Sequence, residues 1–252
     1  MSRLWEFPIT RRWPPVHSDR LQLYSSPTPN GVKISIALEE LGLPYEAHHI
    51  NIGQAESRSP EFLTLNPNGR IPAILDPQGP NGAPFALWES GAILVYLAEK
   101  TGRLLASDPL PRHQTLQWVF FQVSALGPTF GQLGYFHRHA GRSIEDKRPR
   151  DRFAQEAQRL LGVLDAQLEG RKWLVGSGDG EWSIADISTL GWVRALTVNY
   201  DAGDLVELDR FGHVAAWLER ALARPAVQRG LLIPAPVPAA PPKFIPSWPR
   251  GH

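Results

Sequence analysis

Thr28 and Asn30 stand two residues apart in Ser26-Pro27-Thr28-Pro29-Asn30-Gly31, directly ahead of a helical pattern. A hydroxyl and a carboxamide at a helix entry have two uses. They cap free backbone N–H groups, or they donate hydrogen bonds to an anion or thiolate drawn to the partial positive charge there. Two prolines and a glycine in six residues stiffen the turn, which suits either use. Two further runs share this character. In Asn66-Pro67-Asn68-Gly69-Arg70-Ile71-Pro72 a turn leads into an apolar strand that opens on proline, a residue without an N–H for a sheet ladder. A cis Ile71–Pro72 bond would free the backbone N–H and C=O of Ile71 to point at a ligand. Glu89-Ser90 precedes a helix running to about Lys100 and again sets polar groups at a positive helix end.

The chain has no cysteine. A structural disulfide, a cysteine-ligated metal and a protein thiol nucleophile are therefore excluded, and any sulfur chemistry must use a thiol that arrives as a ligand. Of the eight histidines, His48-His49 are adjacent and His137 and His139 lie two apart. No HExxH-like spacing accompanies them, so no metal is expected. Two neighbouring groups compete for the Thr28 role. Ser25 and Ser26 are rival hydroxyls that also suit turn positions, and Tyr24 lies on the strand before the turn, where a core or edge role fits better than a catalytic phenol.

These residues need elements to hold them. With 252 residues and 42% apolar content, the chain makes one large domain or two small ones. Residues 1–19 read as an irregular arm, with Trp5, Phe7, Pro8 and Trp13 as packing anchors. From 20 to 102 the pattern is strand near 21–24, helix 30–41, strand near 45–50, short helix near 60–65, strand after Pro72, strand near 85–87 and helix from 89. The first three elements form a βαβ unit with parallel strands. From 109 to 230 long helical patterns replace strands. QTLQWVFFQVSALGPTFG is apolar all round, with a kink expected at Gly127-Pro128, and 150–168 is amphipathic. Ser183 and Asp186 form a capping box, and a final helix stops before Pro225. Tyr135, Phe136 and His137, after the glycine-rich GQLG, are candidate walls of a second-substrate pocket. Residues 231–252 are proline-rich and expected to be extended.

Net charge is +1, from 26 basic and 25 acidic residues, which argues against nucleic acid or an acidic membrane surface as partner. No apolar run approaches the roughly 20 residues that span a bilayer. The stretch MSRLWEFPITRRW has no apolar core of a secretory signal, so a cytoplasmic location is expected.

A βαβ unit, then Ile-Pro, two short strands, a Glu-Ser helix start and an all-helical domain resembles the glutathione transferase superfamily over about residues 20–230. Four features carry the likeness in order: TPNG at 28–31, NPNGRIP at 66–72, ESGAILVYLAEK at 89–100 and WSIAD at 182–186. The TPNG turn, without tyrosine, serine or cysteine at the usual thiol contact, is similar to the bacterial Nu class, and the extensions at both ends match a longer-chained subgroup. The resemblance implies an α/β thioredoxin-like N-terminal domain that binds glutathione, an all-α C-terminal domain and a homodimer. By the same likeness, Thr28 and Asn30 hydrogen-bond the glutathione sulfur, Ile71 before cis-Pro72 pairs with the cysteinyl part, and Glu89 and Ser90 hold the γ-glutamyl end. Arg152 reaches glutathione from the helical domain, and Lys33 is a further candidate for a carboxylate. Ser57, in SRSPEF, stands where the class often has glutamine. The implied activity is glutathione-dependent disulfide reduction with weak transferase or peroxidase activity. The alternatives are conventional conjugation of apolar electrophiles and a non-catalytic binding or regulatory protein on the same fold.

Overall fold

The computed structural model of the chain describes residues 3–235. The tail aromatics Phe244 and Trp248, expected to pack on the body or across a dimer, lie outside that range. The arm is more ordered than its sequence reads. A 3-10 turn at Arg3–Glu6 and α1 (Ile9–Arg12) precede β1 (Leu21–Ser25), α2 (Gly31–Leu41), β2 (Tyr45–His49), α3 (Pro60–Leu65), β3 (Ala73–Asp76), β4 (Phe85–Trp88) and α4 (Ser90–Thr101). Its anchors are in part those expected: Phe7 and Trp13 pack against the smaller core, whereas Trp5 is 55% exposed, and Leu4 and Ile9 are fully buried.

The sheet order is β2-β1-β3-β4, with β1 parallel to β2 and β3 antiparallel to β1 and β4. Alternation along its central strands feeds two cores. Leu21, Leu23 and Ile74 join the large cluster shared with the helices. Tyr24, Ala73 and Leu75 point the other way, into a smaller cluster with Leu4, Ile9, Ile50 and Phe62. The arm and α3 thus cover the sheet face that the helical half leaves open.

The helical half comprises α5 (Pro109–Phe121), α6 (Gly127–His137), α7 (Arg148–Leu168), α8 (Ile184–Val198), α9 (Gly212–Leu222) and α10 (Pro225–Gly230). A π-helical turn, Gln122–Leu126, joins α5 to α6, so the break falls one turn ahead of the expected Gly127-Pro128 kink. Pro225 does not end the fold; it starts α10, where a missing N–H costs nothing. The capping box before α8 is present, with Ser183 and Asp186 bonded reciprocally. Among the described residues no helix is long and apolar enough to cross a membrane.

α2 is the centre of the molecule. An amphipathic helix is expected there, yet Lys33 and Ser35 are buried along with Ile34, Ile36, Ala37 and Leu38. The reason is that α8 and α10 pack on the face the sheet leaves free. Each aliphatic side chain so buried contributes about 1.5–3 kcal/mol. The polar ones need partners: Ser35 donates to the Gly230 carbonyl at 2.6 Å. Arg224 holds the Glu40 carboxylate in a two-pronged pair at 2.6 and 2.9 Å, which fastens α10 to α2.

Candidate functional site

The junction of the two halves encloses a cavity of about 1030 Å³. Thr28, Asn30, Ile71, Pro72, Glu89 and Ser90 all line it, so three runs far apart in sequence converge on one space. The turn at 28–30 is shaped locally. Its Thr28 N–H donates to the Ser26 carbonyl at 2.7 Å, and a Cβ on Gly31 would fall 1.9 Å from that same oxygen, so only glycine fits. The Thr28 Oγ1 accepts from the Gly31 N–H at 3.2 Å. That is the capping role, but it uses only a lone pair and leaves the hydroxyl proton to donate elsewhere. Asn30 occupies the cap position without a side-chain cap bond. Its Oδ1 accepts instead from the Trp192 Nε1–H at 2.9 Å.

The other two runs arrive by similar local means. Asn66 closes the loop before β3, donating to the Arg70 carbonyl at 2.6 Å and accepting from the Asn68 N–H at 2.9 Å. The Ile71–Pro72 bond is cis. Glu89 is exposed to the cavity with φ 71° and ψ 113°, outside the ordinary wells of a residue with a Cβ. Such strain costs on the order of 1–3 kcal/mol and collects at functional positions. The N-termini of α2 and α4 therefore open on the same cavity, and both favour negative charge.

The rival groups near the turn are otherwise engaged. Ser26 Oγ donates to the Ile50 carbonyl at 2.5 Å and Ser25 Oγ to the Ser26 carbonyl at 3.4 Å. Tyr24 is fully buried, stacked on His48 at 4.7 Å, and burial raises its phenol pKa well above the ordinary value. It is a core residue.

Five other expected site residues are not brought to the cavity lining. Arg152, on α7, has a side chain 69% exposed and pairs with Glu156 at 3.8 Å. Tyr135 is 44% exposed, Phe136 stacks on Phe153 at 5.8 Å, and the His137 ring bonds the Asp201 carbonyl at 3.0 Å. The turn of the helix at the end of α6 decides this, and the GQLG spacing does not reveal it. Lys33 lies behind the wall, fully buried, donating to Ser90 Oγ at 3.1 Å and to Gln122 Oε1. It supports Ser90 from beneath and is not itself at the surface of the cavity.

Burial pushes the Lys33 pKa down from 10.5 to about 7, with the nearby Glu89 charge opposing. Between those values the unfolded chain holds a proton that the folded chain releases, so folding stability rises with pH from about 7 to about 10.5. The slope limit for one proton is about 1.4 kcal/mol per pH unit. Lys33→Met is expected to flatten that rise. Denaturant unfolding of both proteins at the two ends of the window checks it, and an equal rise in both refutes it.

Sequence reading misses most of the lining from the helical half: Gln122, Gln132, His139, Trp192 and Tyr200, together with Arg58 and Arg70 from the first half. Arg70 lies inside the NPNGRIP run already singled out, so its place there is a usable signal. The helical-half residues carry none, being ordinary members of helical patterns. Ser57, in the place of the expected glutamine, is buried and lines the cavity beside Arg58.

Two family models match the chain: Glutathione S-transferase, N-terminal domain, over residues 19–99, and Glutathione S-transferase, C-terminal domain, over residues 129–225. Disulfide-bond oxidoreductase YfcG of Escherichia coli is 42% identical over 213 residues, which is 84% of this chain and 94% of that protein. A glutathione transferase of Pseudomonas putida, solved with one glutathione disulfide bound per subunit, is 58% identical with a TM-score of 0.89, covering 92% of this chain and 99% of that one. A glutathione transferase of Burkholderia graminis, solved with two glutathione molecules per subunit, is 55% identical with a TM-score of 0.90, covering 93% and 97%.

Proposed function

The chain belongs to the glutathione S-transferase family, and from that premise we propose that it is a glutathione-dependent disulfide reductase. The observation that carries this reading is the convergence of Thr28–Asn30, Ile71–Pro72 and Glu89–Ser90 on one cavity in a chain without a cysteine. Two hydroxyl and amide donors at the start of α2 stabilise a ligand's thiolate without a titrating base. Ile71 offers backbone to the cysteinyl part. The γ-glutamyl end suits Glu89, for its ammonium, and Ser90 at the α4 N-terminus, for its carboxylate.

In the reaction the bound thiolate attacks one sulfur of a disulfide. A mixed disulfide forms, the old S–S bond breaks, and the departing sulfur takes a proton from water. A second glutathione thiolate then attacks the mixed disulfide, releasing the reduced substrate and glutathione disulfide. Two electrons pass from two glutathiones to the substrate. The cavity is at the upper end of the usual range for ligand sites, and relatives hold a glutathione disulfide or two glutathiones per subunit. Its remaining lining sets Arg58, Arg70, Gln132 and His139 beside the apolar Ile52, Val123, Pro128 and Trp192.

Within the family we assign the chain to the Nu class, on the TPNG turn and the missing cysteine. We also infer a cytoplasmic homodimer, in which a second copy covers exposed apolar side chains of α5 such as Leu110 and Phe120. The test of function is a side-by-side assay. With glutathione as reductant, hydroxyethyl disulfide is expected to turn over at least about tenfold faster than a chromogenic aryl halide is conjugated, a gap of about 1.4 kcal/mol in barrier. Faster conjugation favours the transferase reading; no turnover of either, with glutathione still bound, favours a scaffold.

A further inference from the structure

We propose that Trp192 is a positioning residue for the thiol site: its indole N–H holds the Asn30 carboxamide so that the NH2 corner, not the oxygen, is left for the ligand. This rests on the reading that Asn30 donates to the bound sulfur. An asparagine amide presents a donor at one corner and an acceptor at the other, and the two are readily exchanged by rotation. An indole N–H is a donor only. The atom 2.9 Å from Trp192 Nε1 must therefore be the Asn30 oxygen, because the amide nitrogen there would set donor against donor. Asn30 lines the cavity, so what it can offer a ligand is its NH2. With the N–H of Trp192 gone, the amide is free to present its oxygen, which repels a thiolate instead of stabilising it.

The contact is built into the docking of the two halves. Trp192 lies 162 residues from Asn30 in the chain. A Cβ on Gly191 would fall 2.5 Å from the Pro29 carbonyl oxygen, so α8 runs hard against the 28–30 turn and admits only glycine there. The indole is partly buried and lies against Gly127 and Gly131 of α6, which leave it room and hold it in place. The thiol site is thus completed by the helical half even though its ligand-facing donors come from the first.

The experiment titrates the thiol of bound glutathione in the wild type, Trp192→Phe, Asn30→Ala and the double variant. Phenylalanine keeps an aromatic ring in the wall and removes the N–H, with loss of the indole's outer ring against Gly127 and Gly131. The charged and titratable groups on the same cavity, Glu89, Arg58, Arg70, His139 and Tyr200, are unchanged throughout. Trp192→Phe is expected to raise the thiol pKa by about half to one unit, below the roughly one to two units of a full hydrogen bond to a charge because sulfur accepts weakly. The double variant should titrate no higher than Asn30→Ala alone. Binding of S-methylglutathione, which has no thiol to ionise, should stay within about twofold of wild type in Trp192→Phe, well under the 1.4 kcal/mol of a tenfold change. An unshifted Trp192→Phe beside a shifted Asn30→Ala overturns the inference and leaves the proposed function standing. Fully additive shifts, or loss of S-methylglutathione binding, also overturn it, since Trp192 then acts as a wall. An unshifted Asn30→Ala removes the reading beneath it. If Trp192→Phe fails to fold, β-(3-benzothienyl)alanine at 192, with sulfur in place of N–H in the same outline, carries the same titration.

Discussion

Thr28→Ala/Asn30→Ala is expected to raise the thiol pKa of bound glutathione by about one to two units, back toward the roughly 8.5 of a free thiol. That shift is about 1.4–2.7 kcal/mol shared by the two donors, each below the roughly 1.5–3 kcal/mol of a full hydrogen bond to a charged group because sulfur accepts weakly. The rate consequence is smaller than the pKa consequence. Dropping a thiol pKa by one unit raises its ionised fraction at pH 7 about eightfold, but a less basic thiolate is less nucleophilic, with a Brønsted slope near 0.4–0.5. The net gain from ionisation is about threefold. A larger loss at pH 7 in the double variant therefore measures lost positioning of the sulfur. The sign with pH follows: the pH–rate profile for disulfide reduction moves upward, and the deficit against wild type narrows as pH rises. Thr28 also caps α2 through the Gly31 N–H, so about 1 kcal/mol of stability goes with it; thermal unfolding measured alongside separates the two effects. A thiolate-absorbance titration reads the pKa directly, and equal values in variant and wild type would end the proposed role of both residues.

The largest effect on stability is expected from Asp186→Ala, a loss of about 3–5 kcal/mol. Asp186 is fully buried. Its carboxylate accepts from the Leu174 N–H at 3.1 Å, the Trp217 Nε1–H at 2.9 Å, the Ser183 N–H at 3.1 Å and the Ser183 hydroxyl at 3.3 Å. Burial pushes its pKa up to about 6 against those four donors. It is thus ionised at neutral pH, because the bonds offset most of the desolvation. Alanine removes the acceptor for two backbone N–H groups and an indole, all buried, and each such orphan costs about 1–3 kcal/mol. The loss is a large part of the 5–15 kcal/mol that holds a domain folded. Asp186→Asn should lie between, since its Oδ1 still serves Leu174 and Trp217 while its NH2 faces the Ser183 N–H. Denaturant unfolding reads both. An Asp186→Ala protein within 1 kcal/mol of wild type would mean that water reaches the orphaned groups.

What was legible in the sequence follows the range of the forces involved. The strands, α2 and the capping box before α8 rest on alternation, helical spacing and side-chain bonds over a few residues, and each is visible in a short window. Tyr24 and Asp186 read as structural for the same reason: a strand position and a capping box already explain them. The N-terminal arm is less legible because its fully buried anchors are two ordinary aliphatics, Leu4 and Ile9, while of its conspicuous aromatics Phe7 and Trp13 pack on the core and Trp5 does not. The continuation past Pro225 was missed because proline ends one helix and starts another with equal ease.

By itself the sequence determined that sulfur chemistry here needs an incoming thiol, and it marked the three short runs that meet at the cavity. Only the tertiary structure decided what faces them from the other half. It brought up Trp192 and Gln122 in place of Arg152, Tyr135, Phe136 and His137, and buried Lys33 behind Ser90. The physical reason is that a turn's shape is set by its own few residues, whereas the lining of a cavity between two packed halves depends on the angle at which they dock. That angle is a property of a whole interface, closed at points such as Gly191 against Pro29.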